Sequence, residues 1–186
     1  MGARRGLDHD RVVDAAAAIA DAEGLGAVTL ARVAGVLGVR APSLYNHVDG
    51  RDGLLRAIAL RAVRELTAVL REAAVGRAGT DALTAMAGAQ RDYARAHPGR
   101  YAASVAAPAS DDPEHRAAAG EAVAVMQAVL RGWNLAGEDA IHAVRAIRSA
   151  VHGFVALEAS GGFGLPVDAD ASFDRLVEML GAGLAR

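Results

Sequence analysis

The chain has 186 residues, 53% of them apolar and 4% aromatic, enough for one or two domains with a sizeable core. It holds no cysteine, which excludes disulfides and thiol chemistry and fits a reducing compartment. All 20 basic residues are arginine, and with 22 acids the net charge is −2, so the chain is not the basic block of a nonspecific nucleic-acid binder.

Alanine, the best helix former, dominates, and alternating β-branched or aromatic runs are almost absent, so an all-α fold is expected. No apolar run approaches the length of a membrane span, and the N-terminus lacks the apolar core of a signal peptide. Met1-Gly2 opens like a myristoylation signal, but Gly6 stands where Ser or Thr is required. A cytoplasmic protein with no membrane contact is expected.

Residues 1 to 7 form a short arm in which Arg4 and Arg5 are either a frayed basic end or a reach into the minor groove. A helix follows over His9 to Glu23, capped by Asp8, with Val12, Val13, Ala16, Ile19 and Ala20 on its buried stripe. Gly24-Leu25-Gly26 ends it; with no preceding strand and no third glycine, this is no dinucleotide loop.

The stretch from Thr29 to Arg51 predicts two short helices and a tight turn. The first runs from Leu30 to Leu37 with Thr29 as N-cap, and Leu30, Val33, Ala34 and Leu37 share one face. Gly38 supplies a left-handed turn, and Val39 is expected as a buried plug. The second helix spans Ala41 to His47, with Pro42 in its first turn and Leu44 and Val48 pointing inward. That is the pattern of a helix-turn-helix. Arg40, Ser43, Tyr45, Asn46 and His47 are then left outside, with no acid between Val39 and Val48, and such side chains suit phosphates and base edges. Residues 1 to 51 carry six arginines (4, 5, 11, 32, 40, 51) and six acids (8, 10, 14, 21, 23, 49), so the acids must face away from DNA.

Beyond the Asp49-Gly50 turn, a long helix is predicted from Arg51 to Ala74, a natural lever between the two parts of the chain. Further helices are predicted after Thr80 up to Pro98, over Arg100 to Ala107, Glu114 to Trp133, Asp139 to Ser160 and Ala169 to Ala185. Val123 lies on the predicted buried stripe of the Glu114–Trp133 helix, and Ile141 and Leu157 belong to the apolar stripe of the Asp139–Ser160 helix. Each of Met86, Tyr93, Tyr101, Met126, Trp133 and His152 alone reads as ordinary core, but together they are candidates for lining a mostly apolar pocket with a few polar groups. The last two helices each carry an apolar stripe. Val151, Gly153, Phe154 and Leu157 on one and Phe173, Leu176 and Leu180 on the other are expected to form a four-helix interface between two copies. A mid-helix glycine such as Gly153 permits close approach.

The run LGVRAPSLYNHV, with Arg51 three residues on, resembles the N-terminal domain of the TetR family of one-component transcriptional repressors. The match extends back through Leu7–Ala16 and forward through Leu54-Leu55, covering about residues 5 to 60. The resemblance implies a three-helix DNA-binding domain, here residues 1–50, on a helical ligand-binding and dimerisation domain, residues 51–186. It further implies that Arg40, Pro42, Ser43 and Asn46 face bases and that Thr29, Tyr45, His47 and Arg51 hold phosphates, with Arg32 able to do either. His47 has a second possible role as a cap of the reading helix. His152-Gly153-Phe154-Val155-Ala156-Leu157-Glu158 resembles the HG-containing C-terminal domain of one branch of the family, with Arg148 and Ser149 where that branch often has a tryptophan. The implied partners are a double-stranded, imperfectly palindromic operator, a second copy of the chain and an unidentified small-molecule effector. No cofactor or metal is expected.

An enzyme is the first rival, but the chain has no cysteine nucleophile, no G-x-S-x-G elbow and no His-Glu-x-x-His. The second is a helical adaptor whose helix-turn-helix binds protein.

Overall fold

The computed structural model of the chain describes residues 6–185, so the expected Arg4–Arg5 arm lies outside the described residues. The secondary structure is helical throughout: α1 (His9–Glu23), α2 (Leu30–Leu37), α3 (Gly50–Ala74), α4 (Gly79–Ala96), α5 (Pro98–Ser104), α6 (Pro113–Leu130), α7 (Gly137–Ala159) and α8 (Ala169–Leu184). Short 3₁₀ turns occupy Leu25–Ala27, Ala41–Asn46 and Arg131–Trp133. No described helix is long and apolar enough to cross a membrane.

The chain divides into two compact units. Unit 1 runs to Val63 and takes back His97–Ala109; unit 2 is Arg64–Ala96 with Ser110 onward. The division expected at residue 50 therefore falls inside unit 1. The unbroken helix α3 contributes to both units, and α5 packs on α1 rather than with its sequence neighbours α4 and α6.

Unit 1 is built on two caps and a left-handed glycine. Asp8 accepts from the Arg11 amide (2.8 Å) to start α1, and Thr29 accepts from the Arg32 amide (3.1 Å) to start α2. Gly38, at φ +67°, ends α2, and the Val39 amide turns back to the Ala34 carbonyl (3.0 Å). Val12, Val13, Ala16, Ile19 and Ala20 of α1 meet Val33, Ala34, Leu44, Val48, Leu54 and Ile58 in one apolar core, as the spacing predicts. Val39, expected as a buried plug, is only half-buried at the rim of that core.

The expected α-helix over Ala41 to His47 is a 3₁₀ helix, Ala41–Asn46. Ser43 N–H to the Arg40 carbonyl (3.0 Å) and His47 N–H to the Leu44 carbonyl (2.9 Å) are i→i+3 bonds, and the Leu44 carbonyl also accepts from Val48 N–H (3.0 Å) where the segment ends. Pro42 has no N–H to contribute, and the chain must enter α3 four residues after Asn46, so no α-helical turn can propagate.

α5 lies against α1 at backbone contact. A Cβ on Gly99 would stand 2.1 Å from the Ala20 carbonyl carbon, so only glycine fits. Asp21 completes the joint by accepting from the Arg100 amide and from Arg100 Nε, both at 2.8 Å. The helix expected over 100 to 107 starts earlier because Pro98 is at its first turn.

In unit 2, α4 packs on α6, α7 and α8, and α7 packs on α6 and α8. Leu83, Met86, Leu130, Ile147, Val151, Val155, Phe173 and Val177 are buried there. Val123, expected on a buried stripe, and Ile141, on the apolar stripe of the following long helix, face outward instead, at 38% and 40% exposure. On α6 and α7 alanine fills positions next to the true inward face, so the larger apolar residues alone misplace it.

Gly99→Ala should lower the melting temperature by on the order of 10 °C, since the added methyl overlaps main chain that has no free end to swing away. A circular-dichroism melt measures it, and an unchanged melt would contradict the backbone contact between α5 and α1.

Candidate nucleic-acid interface

One side chain of the 3₁₀ helix, Leu44, is fully buried. With that anchor fixed, Arg40, Pro42, Ser43, Tyr45 and Asn46 are all exposed, and Tyr45 stands out at 63%. The side chains of Arg40, Ser43, Tyr45 and Asn46 have no hydrogen bond or ion pair among the described residues. Val36 of α2, at 51% exposure, is an uncovered apolar side chain. The sequence pattern could not single it out, because it reads as one more apolar helix residue.

The residues expected to hold phosphates divide into two groups. Thr29 is exposed, but its hydroxyl oxygen already caps α2. Arg32 is paired with Glu23, Nη2 to Oε1 at 2.6 Å, and this pair holds the Glu23 carboxyl below its usual range through the hydrogen bond first and the opposite charge second. Arg51 donates from Nε to the Val28 carbonyl (2.9 Å) and from Nη2 to the Leu25 carbonyl (3.2 Å), tying the α1–α2 connection to the start of α3. His47 is half-buried, and its carbonyl accepts from His9 Nδ1 (2.9 Å), which ties the end of the 3₁₀ helix to α1. The guanidinium groups of Arg32 and Arg51 thus have internal partners that sequence spacing cannot reveal, and Arg40 does not.

Residues 83–180 match the family described as "Tetracyclin repressor-like, C-terminal domain". Across 181 residues, 97% of this chain and 83% of the relative, the sequence is 42% identical to the HTH-type transcriptional regulator Rv0681 of Mycobacterium tuberculosis. The chain belongs to the TetR family. It is a DNA-binding transcriptional regulator of the helix-turn-helix type, a class that is not enzymatic. A second relative, the HTH-type transcriptional regulator YobS of Bacillus subtilis, is 35% identical over 164 residues, 88% of this chain and 85% of its own. The fold is shared with a protein of unknown function from Rhodococcus sp. RHA1, which superposes over 100% of both chains with a TM-score of 0.83 at 21% identity.

Within this TetR-family regulator the residues expected to line a pocket fall in both units. Met86 and Tyr93 are buried on α4, Met126 and His152 are half-buried on α6 and α7, and Trp133 is half-buried in the 131–133 turn. Tyr101 belongs to unit 1, the other five to unit 2. The Tyr93 hydroxyl donates to Glu65 Oε2 (2.9 Å). Of the residues expected between two copies, Val151 and Phe173 are buried within the chain, Leu157 is exposed, and Gly153, Phe154, Leu176 and Leu180 lie between.

Unit 2 also contains an ionic cluster absent from the sequence reading. Arg91, 6% exposed, donates through Nε to Glu158 Oε2 (3.0 Å), pairs through Nη2 with the other Glu158 oxygen and reaches Asp170 (2.7 Å). Arg95 bridges the same two carboxylates, and the Arg91 guanidinium carbon lies 4.6 Å from the Phe173 ring centre and 5.3 Å from that of Phe154. Hydrogen bonding from Arg91, then from Arg95, holds the Glu158 carboxyl at about 2 against an ordinary 4.5. The signal available in sequence was Arg91 at helical spacing from Leu83 and Ala87, an arginine on an otherwise apolar stripe.

Because the folded state favours ionised Glu158, its contribution to stability is present above pH 4.5 and is lost as pH falls towards 2. Glu158→Gln should destabilise the chain by about 3 kcal/mol at neutral pH, and the gap to the parent should close as pH falls from 4.5 towards 2. Denaturant titrations at several pH values measure it; a gap independent of pH would contradict the assignment.

Proposed function

We propose that this regulator represses transcription as a cytoplasmic homodimer that reads an imperfect palindrome with two copies of Ala41–Asn46 and releases it when a small molecule occupies unit 2. The observation that carries the DNA-reading assignment is the exposed, unpaired and acid-free group Arg40, Ser43, Tyr45 and Asn46 around a single buried anchor. Arg40 is the best candidate for a bidentate base contact, with Pro42 and Val36 offering apolar contact to a thymine methyl. Tyr45 and Asn46 would add a phosphate contact and a base contact. Thr29, His47 and Arg51 are then better described as residues that position this face, with phosphate contact as a second role.

A six-residue helix touches only a few base pairs. Useful affinity needs two such helices on one duplex, which is why a dimer is proposed. Support comes from the outer faces of α7 and α8. Ala146, Ser149, Gly153 and Ala156 follow one another at three- and four-residue spacing on α7, and Leu176, Met179 and Gly183 do so on α8. A Cβ on Gly153 would meet nothing within 4 Å inside the chain. Glycine there costs the helix about 1 kcal/mol relative to alanine with no return from internal packing, and a partner helix crossing at that point supplies the reason for it. Val151 and Phe173 would support this face from beneath.

Fluorescence anisotropy with a duplex from upstream of the chain's own coding sequence tests the reading face. Arg40→Ala should weaken binding about 10- to 100-fold. Normal affinity in a folded Arg40→Ala, Tyr45→Ala double variant would refute the face. Light scattering tests the dimer: Gly153→Leu should give folded monomers, and a variant that stays dimeric would place the interface elsewhere.

A further inference from the structure

Among the described residues, buried polar side chains other than one have partners. Arg91 is paired as above, Asp112 caps α6, and Thr67 is bonded. The exception is His115. It is 5% exposed, and its Nε2 is buried without a hydrogen-bond partner. Folded proteins rarely leave such an atom unpaired.

Its location narrows the purpose. His115 sits in the first turn of α6, where Asp112 accepts from its amide (3.0 Å). Ala118, one turn on, is also buried, so the ring belongs to the inward face of α6, the side on which α4 and α7 pack. Two contacts bring α3 and α4 to the same level. Arg64 of α3 reaches Glu114 (3.0 Å), and Tyr93 of α4 reaches Glu65 (2.9 Å). The neighbours along the inward face after His115 are alanines 118, 119 and 122, which carry only methyl groups.

We infer that His115 is the polar anchor of a small-molecule site in unit 2, and that the molecule it takes is mainly apolar and carries a hydroxyl or amine. This rests on the proposed effector-binding role of unit 2. A neutral imidazole with its proton on Nδ1 presents Nε2 as an acceptor, which a hydroxyl or amine satisfies. Glu65, Asp112 and Glu114 lie at the same end of unit 2, where Glu65 accepts from Tyr93, Asp112 caps α6 and Glu114 pairs with Arg64; with Arg116 next to His115, three carboxylates share this end with two guanidiniums. A carboxylate or phosphate brought there would meet like charge, whereas an amine would be attracted. The alanine face supplies the apolar wall.

The test uses the full chain without DNA and three probes with one apolar body: 4-methylbenzyl alcohol, 4-methylbenzylamine and 4-methylbenzoate, at millimolar concentration. The alcohol and the amine should raise the melting temperature by about 2–4 °C and move the ¹⁵N resonance of His115 Nε2, while the benzoate does neither. In His115→Leu both responses should vanish, and the unliganded variant should melt no lower than the parent, since an unpaired polar atom has been removed. The resonance in the parent protein decides the matter even if that variant folds poorly. No movement of the Nε2 resonance with the alcohol or amine, an equal response to the benzoate, or an undiminished thermal response in folded His115→Leu would each overturn the proposal. DNA binding is scored separately in the Arg40→Ala assay. A chain that binds the probes through His115 but never binds its upstream duplex keeps the site and loses the regulator role built on it.

Discussion

The proposed DNA-reading surface depends on one buried side chain and one left-handed turn. Leu44 is the fully buried residue of a six-residue helix, and Gly38 at φ +67° sets the direction from which the chain arrives. With both ends of the segment fixed, by Val39 folding back on Ala34 and by His9 bonding to His47, rotation about the short helix is restricted to a few degrees of freedom. The side chains pointing away from Leu44 face solvent because no other orientation keeps Leu44 in the core. A 3₁₀ helix, with weaker internal bonding than an α-helix, is held here by its anchor rather than by its own hydrogen bonds.

Much of unit 1 was legible in the sequence because local signals there agree with one another. Asp8 and Thr29 are caps placed immediately before apolar stripes, Gly38 follows the last apolar residue of α2, and the structure uses each in that way. The reading helix was misjudged in type because proline placement and loop length, rather than periodicity, decide between α and 3₁₀ over so short a span. The partners of Arg32 and Arg51 were invisible for another reason: Glu23 lies nine residues away and Val28 twenty-three, and only tertiary structure brings them together. The backbone contact of Gly99 with Ala20 is longer-range still.

Unit 2 was less legible because its helices are rich in alanine, which marks neither the inside nor the outside of a helix. Val123 and Ile141 were placed on apolar stripes by size, and the structure turns them out. Conversely, Arg91 is buried on α4 and joins it to both α7 and α8 through Glu158 and Asp170. Replacing such a cluster by apolar residues is often neutral for stability, so its value lies in fixing one alignment of three helices among several that alanine-rich faces would permit.

The central claim is that two copies of the Leu44-anchored helix contact one duplex at a fixed separation. Hydroxyl-radical footprinting on the upstream duplex measures this most directly. The account predicts two protected patches related by a twofold axis, with centres about 10 base pairs, roughly 34–36 Å, or a multiple of that apart. A single protected patch, or two whose separation varies from site to site, would contradict it.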